Sequence, residues 1–348
     1  MQVRNPRGPA ALEVSVVLPV RDGERTLGAA LDSVLASRRV EFEVVCVDDG
    51  SRDRTPALLA DAARADPRVR VLGCEPRGIV AALNAGIAAA RAPLVARMDA
   101  DDLVHPERFA LQARLLAQRP ELALVGCAVE PFREGGLAGG WRVYAEWVNA
   151  LVTPEEIERE AFVECPVPHP TWMFRRDAVA ALGGYRDVAW PEDLDFFYRL
   201  LESGARAGKV PEVLHRWRDH DERLSRRDPR YAREAFAAAK AHFLPRIHGV
   251  RTAVVWGAGK TGRRFARLLA AQGVLVRAFL DIRPARAGAT WRGIPIHAAA
   301  DLGSLAKGWR AERVPVLGAV ASRGARAEIR AALAQEGLAE GRDFWMVA

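Results

Sequence analysis

The chain has 348 residues, 50% of them hydrophobic and 27% charged, with a net charge of +7. That much apolar surface excludes a mainly disordered chain, and at roughly 150 residues per domain the length suggests two domains. The longest uncharged stretch, Gly78 to Ala90, is thirteen residues, short of the roughly 20 apolar residues of a spanning helix. Met1 to Pro9 carries charge with no apolar core behind it. No secretory leader is therefore predicted, and a cytoplasmic protein is expected.

Residues 14–20 read as a strand whose unbroken Val and Leu suit burial on both faces. A helix over 24–37 follows, with Leu27, Leu31, Val34 and Leu35 at helical spacing. Strands are predicted over 42–47, 69–72 and 94–98, separated by helices over 55–65 and 79–91. Apolar strands alternating with helices predict a parallel sheet covered on both faces, with ligand sites at the carboxyl ends of the strands. A helix over 106–118 opens on Pro106, and 122–129 is a further strand. The pattern is irregular from there to Trp190, with a short strand at 171–174 and a helix at 177–182 stopped by Gly183-Gly184. A helix over 193–204 and an extended 210–218 precede a long Ala-rich helix over 229–244, ended by Pro245 and Gly249.

A second series starts at Arg251, with strands over 252–256, 274–280, 314–320 and 344–347 and helices over 260–272 and 326–336. The expected border lies near residue 249. The basicity lies beyond it: residues 249–348 hold 16 Lys and Arg against 7 Asp and Glu, whereas 1–248 hold 35 against 37. Such a field attracts anionic ligands or an anionic membrane surface. No stripe of Arg interleaved with aromatics is present, so nucleic acid is not expected as a partner.

Cys46, Cys74, Cys127 and Cys165 form no C-x-x-C pair, and buried reduced thiols are expected. The acids are more informative. Asp48-Asp49 ends the second predicted strand and Asp99-Ala100-Asp101-Asp102 the fourth. In a parallel sheet both ends open on one side, so five carboxylates would converge there. Their repulsion calls for positive charge, and a hard divalent cation such as Mg²⁺ or Mn²⁺ would supply it while holding a diphosphate.

The runs Val16-Val17-Leu18-Pro19-Val20, Val45-Cys46-Val47-Asp48-Asp49-Gly50-Ser51, Ala82-Leu83-Asn84-Ala85-Gly86 and Met98-Asp99-Ala100-Asp101-Asp102 follow in that order. His169-Pro170-Thr171, Gly183-Gly184-Tyr185, Pro191-Glu192-Asp193-Leu194-Asp195 and Arg218-Asp219-His220 come after them. From about residue 13 to 226 the sequence resembles an inverting family 2 glycosyltransferase of GT-A fold. The resemblance implies that Pro19, Val20 and Glu24 line a nucleotide site, that Asp48 accepts a hydrogen bond from the base, favouring uracil, and that Arg77 lies by the phosphates. It implies Asp101 as metal ligand with Asp99 facing the metal or the ribose, and His220 near the donor diphosphate. Asp193 would be the general base, with Glu192 beside it raising its pKa. An N-cap role for Asp193 is the structural alternative. Trp172 and Trp190 could stack on a sugar or pack in the core. Arg21-Asp22 departs from the Tyr-Asn pair usual after the first-strand proline.

Gly257-Ala258-Gly259-Lys260-Thr261-Gly262 joins a predicted strand to a helix in a G-x-G-x-x-G turn, with Asp281 nineteen residues beyond Gly262. Residues 251–300 resemble the N-terminal Rossmann-like domain of sugar O-acyltransferases, which implies a second nucleotide site through Gly257, Gly259, Gly262 and Asp281. A degenerate structural domain is equally compatible. The expected whole is an α/β protein. A GT-A nucleotide-diphospho-sugar transferase domain occupies residues 1–248 (nucleotide half 13–128, acceptor half 129–226, helical segment 229–245). A smaller doubly wound Rossmann-like domain occupies 249–348. The expected partners are a nucleotide-sugar donor and a saccharide or lipid-linked saccharide acceptor, with peripheral attachment at the inner membrane face allowed by the basic domain. The sequence is silent on oligomeric state. A sugar-phosphate nucleotidyltransferase would need more glycine than Arg21-Asp22-Gly23-Glu24 offers. A nucleotide-sugar sensor leaves Asp101 and Asp193 idle, and an NAD-dependent oxidoreductase centred on 257–281 leaves the first acids unexplained.

Overall fold

The computed structural model describes residues 11–73, 75–137 and 139–348; Met1 to Pro9 and Cys74, considered above, lie outside the described residues. The chain divides into two compact units. One holds residues up to Pro154 with 167–187 and 205–223; the other holds 155–166, 188–204 and everything from Leu224 on.

The first unit is built on eight strands: β1 (Val14–Val20), β2 (Phe42–Asp48), β3 (Val69–Gly73), β4 (Leu94–Arg97), β5 (Leu103–Val104), β6 (Leu122–Phe132), β7 (Met173–Arg175) and β8 (Arg206–Arg218). Their order is β3-β2-β1-β4-β7-β6-β8-β5. The parallel core expected of the first half is present: β1 pairs in parallel with β2 and β4, and β2 with β3. Every residue of β1 and β2 is buried, as their mainly apolar runs suit, and the buried Ser15 donates to Glu43 at 2.7 Å. Beyond β4 the sheet becomes mixed, because β7 runs antiparallel to both β4 and β6, and β5 runs antiparallel to β8. An apolar run reads alike in either direction, so the sequence pattern could not foresee this.

Helices cover Leu27–Leu35, Thr55–Ala65, Ile79–Ala89 and Arg108–Gln118. The last begins two residues after Pro106, which lies in the preceding turn. Helix Gly139–Asn149 falls in the stretch read as irregular. Cys46, Cys127 and Cys165 are buried free thiols, and burial pushes Cys46 up to about 12 and Cys127 to about 11. Among the described residues no helix is long and apolar enough to cross a membrane.

The second unit holds β9 (Thr252–Trp256), β10 (Leu275–Asp281), β11 (Thr290–Trp291), β12 (Ile294–Ala298), β13 (Val316–Gly318) and β14 (Phe344–Met346), ordered β11-β12-β10-β9-β13-β14. All pair in parallel except the β11–β12 hairpin. The chain moves outward from β9 on one side, then returns to fill the other, which is doubly wound topology.

Segments before residue 249 also belong to this unit. Lys240 donates to the Val163 and Val347 carbonyls at 2.7 and 3.2 Å, and Arg330 bridges Glu160 and Glu340 at 2.7 and 2.8 Å. Helix Arg233–His248 runs through Pro245 instead of ending there. Its last turn is held by the Arg246–Glu202 ion pair at 2.7 Å and by His248 stacked on Trp345, which offsets the missing proline N–H. The helix ends at Gly249, φ 67°.

Two glycines give opposite expectations. A Cβ on Gly262 would lie 1.7 Å from the Gly257 carbonyl oxygen, whereas one on Gly308, inside helix Leu302–Ala311, would meet nothing. Gly262→Ala should destabilise the protein by about 1–3 kcal/mol, and Gly308→Ala should stabilise it by about 0.5–1 kcal/mol. Urea unfolding of the full chain measures both.

Candidate active site

Two loops leave the carboxyl ends of β1 and β2 and are stitched together. The Asp22 N–H donates to Ser51 Oγ at 2.9 Å, and the Arg52 N–H returns to Asp22 Oδ1 at 2.7 Å. The Glu24 N–H donates to Asp53 at 2.9 Å, and Glu24 Oε2 accepts from the Arg54 N–H at 3.1 Å. Asp22, half of the Arg21-Asp22 departure from the usual pair, thus staples the loop at φ 50°. Pro19 and Val20 are buried at the end of β1.

Asp48 and Asp49 differ in their work. Asp48 Oδ1 accepts from the Ser51 N–H at 2.9 Å. Asp49 accepts from the Arg77 N–H at 2.8 Å and from the Gly78 N–H at 3.0 Å. Gly78 takes φ 85° there and opens helix Ile79–Ala89, a conformation that favours glycine. Asp49 therefore holds the turn that carries the exposed Arg77 side chain.

Asp99, Asp101 and Asp102 gather after β4, with one carboxylate oxygen from each inside a 4.8 Å group. Arg97 Nη1 donates to Asp99 Oδ2 at 2.6 Å. His220 Nε2 lies 2.8 Å from Asp101 Oδ2, so this predicted pair is brought together. Asp102 is 1% exposed and accepts from His215 Nε2 at 2.8 Å and from the Arg218 N–H at 2.7 Å. On the far side of the His215 ring, Nδ1 lies 3.0 Å from Arg108 Nη1. Arg108 can only donate, so Nδ1 accepts and the ring proton sits on Nε2, facing Asp102. Burial, with Arg108 and Arg97 nearby, drives the His215 pKa well down, keeping the ring neutral.

Burial also raises Asp99 above the usual carboxylate range, Asp101 adding to the rise and Arg97 opposing it. Asp102 goes well up through burial and the charges of Asp101 and Asp99. Burial pushes Asp101 the same way, but the His220 hydrogen bond and the charges of His220, Arg223 and Arg97 outweigh it, and Asp101 ends below its ordinary value. The repulsion expected among five carboxylates is thus met largely by the protein's own groups. Asp48 and Asp49 are taken up by backbone N–H donors, and Arg97, His215, Arg218 and His220 serve the other three. The acids still fit a hard divalent cation: Asp99 and Asp101 each keep Oδ1 outside these bonds, and carboxylate oxygens are the donors such an ion takes. Asp102, with both oxygens engaged, supports the loop.

In the second unit, Glu192 and Asp193 lie in the first turn of helix Glu192–Glu202, whose N-cap is Pro191. Asp193 is half-buried and accepts from the Leu194 N–H at 2.7 Å, so it is not the cap. Glu192 is 1% exposed, and both its oxygens lie 2.8 Å from the Tyr231 hydroxyl. Trp190 Nε1 donates to Asp195 at 3.1 Å, while Trp172 of the first unit is fully buried, its Nε1 on the Val167 carbonyl. Trp172 is core and not a sugar platform.

The glycine turn of this unit is well formed, with Gly257 at φ 115° and Gly259 as N-cap of helix Lys260–Ala271. Asp281 is 5% exposed and accepts from the Ala258 N–H at 2.8 Å, the Arg283 N–H at 2.9 Å and Arg286 Nη1 at 2.7 Å. These bonds hold it below the usual carboxylate range despite burial. Sequence reasoning missed Arg97, Arg108, His215 and Tyr231. Each is an ordinary polar residue locally, and its partner lies elsewhere in the chain.

Residues 15–183 match the profile of glycosyl transferase family 2. The amylovoran biosynthesis glycosyltransferase AmsE of Erwinia amylovora is 31% identical over 217 residues, covering 61% of this chain and 79% of that protein. The chain belongs to glycosyl transferase family 2. This glycosyltransferase is also 29% identical to the putative glycosyltransferase EpsE of Bacillus subtilis over 226 residues, 63% of this chain and 78% of EpsE. Among solved structures, S. aureus TarS (residues 1–349) superimposes with a TM-score of 0.52 at 18% identity, covering 68% of this chain and 70% of TarS. The same TarS fragment with UDP-GlcNAc gives 0.50 at 15% identity, covering 75% and 71%. The shared fold is GT-A.

If the buried chain from Arg108 through His215 to Asp102 holds the acid loop, then His215→Phe, which keeps the ring and removes both nitrogens, should cost about 3 kcal/mol or more. Urea denaturation reads the loss. A cost under about 1 kcal/mol would remove the chain's structural role.

Proposed function

We propose that this glycosyltransferase moves a sugar from a nucleotide diphosphate sugar, a UDP-sugar being favoured, to a hydroxyl of a saccharide or lipid-linked saccharide. The transfer proceeds with inversion, in bacterial surface polysaccharide or glycolipid assembly. The observation that carries the reading is the convergence of Asp99, Asp101 and His220 at the end of β4, two carboxylates each with an oxygen in reserve beside a histidine. The names of the relatives support the polysaccharide assignment, and the UDP-GlcNAc bound by TarS supports the donor class.

In this reading Asp48 accepts from a base N–H, a carboxylate being acceptor-only, while Arg77 and His220 flank the phosphates. Asp101 and Asp99 would hold Mn²⁺ or Mg²⁺, which supplies Lewis-acid stabilisation of the departing diphosphate. Asp193 takes the proton of the acceptor hydroxyl as its oxygen bonds to C1. The bond from C1 to the diphosphate oxygen breaks on the opposite face, and inversion follows from this single displacement. Glu192, fixed by Tyr231, stands next to Asp193 in sequence as its catalytic neighbour. Residues 1–248 carry the transfer and 249–348 form an accessory domain, binding a second nucleotide or serving structure alone. We place the protein in the cytoplasm, its basic domain suiting the inner membrane face. An NAD-dependent oxidoreductase has less support, because the Asp281 that would receive a ribose is engaged by Ala258, Arg283 and Arg286.

Calorimetric titration of UDP, GDP, dTDP and NAD, with and without Mn²⁺, into wild type and Asp101→Asn tests this. Expected is Mn²⁺-dependent binding of one nucleoside diphosphate, weakened at least about tenfold in the variant. Binding of NAD alone, indifferent to Mn²⁺ and to the substitution, would overturn it. Asp193→Asn should keep that binding and lower turnover by about 10²-fold or more.

A further inference from the structure

Arg223 follows His220 by three residues and has no part in the chemistry above. Its guanidinium carbon lies 4.9 Å from the ring centroid of Trp141 and 4.6 Å from that of Trp217. The two indoles meet edge to face, centroids 5.1 Å apart at 83°, and form a corner in which the cation rests. Its Nη1 reaches only a backbone carbonyl, that of Arg218, at 3.4 Å. Neighbouring arginines are otherwise placed: Arg133 pairs with Asp219 and Asp221, Arg218 with Glu134, and Arg25 with Glu222. Among the described residues Arg223 has no ion pair.

This cation also stands beside the acid loop. Trp217, half of its corner, is followed directly by Arg218, whose N–H and Nε hold Asp102 Oδ1 and the Asp101 carbonyl at 2.7 Å. The Arg223 charge favours the ionised forms of Asp99, Asp101 and Asp102. A guanidinium held on two aromatic faces keeps its charge and its planar fork of donors while losing little further freedom on binding. That fork matches phosphate oxygens in paired hydrogen bonds. Because the guanidinium covers the Trp141 and Trp217 rings, sugar stacking on this corner is the poorer use of it.

We propose that Arg223, held in the Trp141–Trp217 corner, binds the diphosphate of the nucleotide donor. The inference rests on the donor reading above and adds a guanidinium fork to the Arg77 and His220 that flank the phosphates in it. It makes Trp141 and Trp217 positioning residues, since they act only through Arg223.

The test titrates UDP and UMP, or GDP and GMP if guanine is the base bound, in Mn²⁺ into wild type, Arg223→Ala, Arg223→Lys and Trp141→Leu. Arg223→Ala should weaken the diphosphate about tenfold and the monophosphate by less than about threefold. Arg223→Lys should recover part of the loss, and Trp141→Leu should show the same diphosphate-selective pattern at smaller size. A merely structural arginine predicts equal losses for both nucleotides with a lowered unfolding midpoint. That result overturns the proposal, as does unchanged diphosphate binding. If Arg223→Ala does not fold, Arg223→Lys against Arg223→Gln decides: equal diphosphate affinity in those two overturns it. Wild-type binding that is lost in Asp101→Asn and intact in Arg223→Ala removes this inference alone. No Mn²⁺-dependent binding of UDP, GDP or dTDP by wild type removes the donor reading as well.

Discussion

The acid loop depends on one buried cation. Arg108 is fully buried, and each of its nitrogens has an acceptor: Nε the Gln112 side chain, Nη1 the His215 ring, Nη2 the carbonyls of Arg97 and Pro170. Burial drives its pKa down to about 10, which still leaves it charged at neutral pH. A buried charge is tolerated only when its donors are satisfied, so β4, β8 and the turn at His169–Thr171 must meet around this group. Gln112 extends the same network to the Thr171 and Val125 carbonyls. The short β5, paired to His215 and Arg216 of β8, then delivers Asp102 against the His215 ring. The acids stand at the end of β4 because the loop that carries them is anchored from beneath.

Neighbouring acids divide the work between fold and site. Asp102 gives both oxygens to His215 and the Arg218 backbone, whereas Asp101 next to it gives one to His220. Glu192 is closed off under Tyr231, whereas Asp193 stays half-buried. Asp49 holds the turn at Gly78. A residue spent on the fold fixes the backbone of its neighbour, so the neighbour's carboxylate keeps its direction without being consumed. Preorganisation of this kind lets a group act on charge as it develops, with no reordering at that moment.

Legibility in the sequence followed distance along the chain. Strands β1 and β2 and the helices Thr55–Ala65 and Arg108–Gln118 declare themselves through local periodicity, and the acids through their place at strand ends. Arg108 and His215 are 107 residues apart, and in isolation one reads as a polar position of a helix and the other as part of an extended segment. Helix Gly139–Asn149 was obscured because its aromatics pack as a small cluster with Val129 and Trp217 and form no stripe toward the main core. Asp281 was legible as a position, but its partners were not. Its spacing from the glycine turn suits a ribose, but Arg286, which no spacing rule includes, occupies the same carboxylate.

Charge balance joins these observations. Asp99, Asp101 and Asp102 are answered by Arg97, Arg108 and Arg223, so the loop carries little net charge before anything binds, and the neutral His215 adds none. A nucleotide diphosphate sugar and a divalent cation together are also close to neutral. On the proposed reading the pair therefore enters without a large change in local charge, and neither partner alone is well matched. The metal without the diphosphate would face Arg97 and Arg223, and the diphosphate without the metal would face Asp99 and Asp101. Binding of each then favours the other, a reciprocal coupling of the kind linkage requires. It arises from the protein's own arginines and not from a shortage of positive charge.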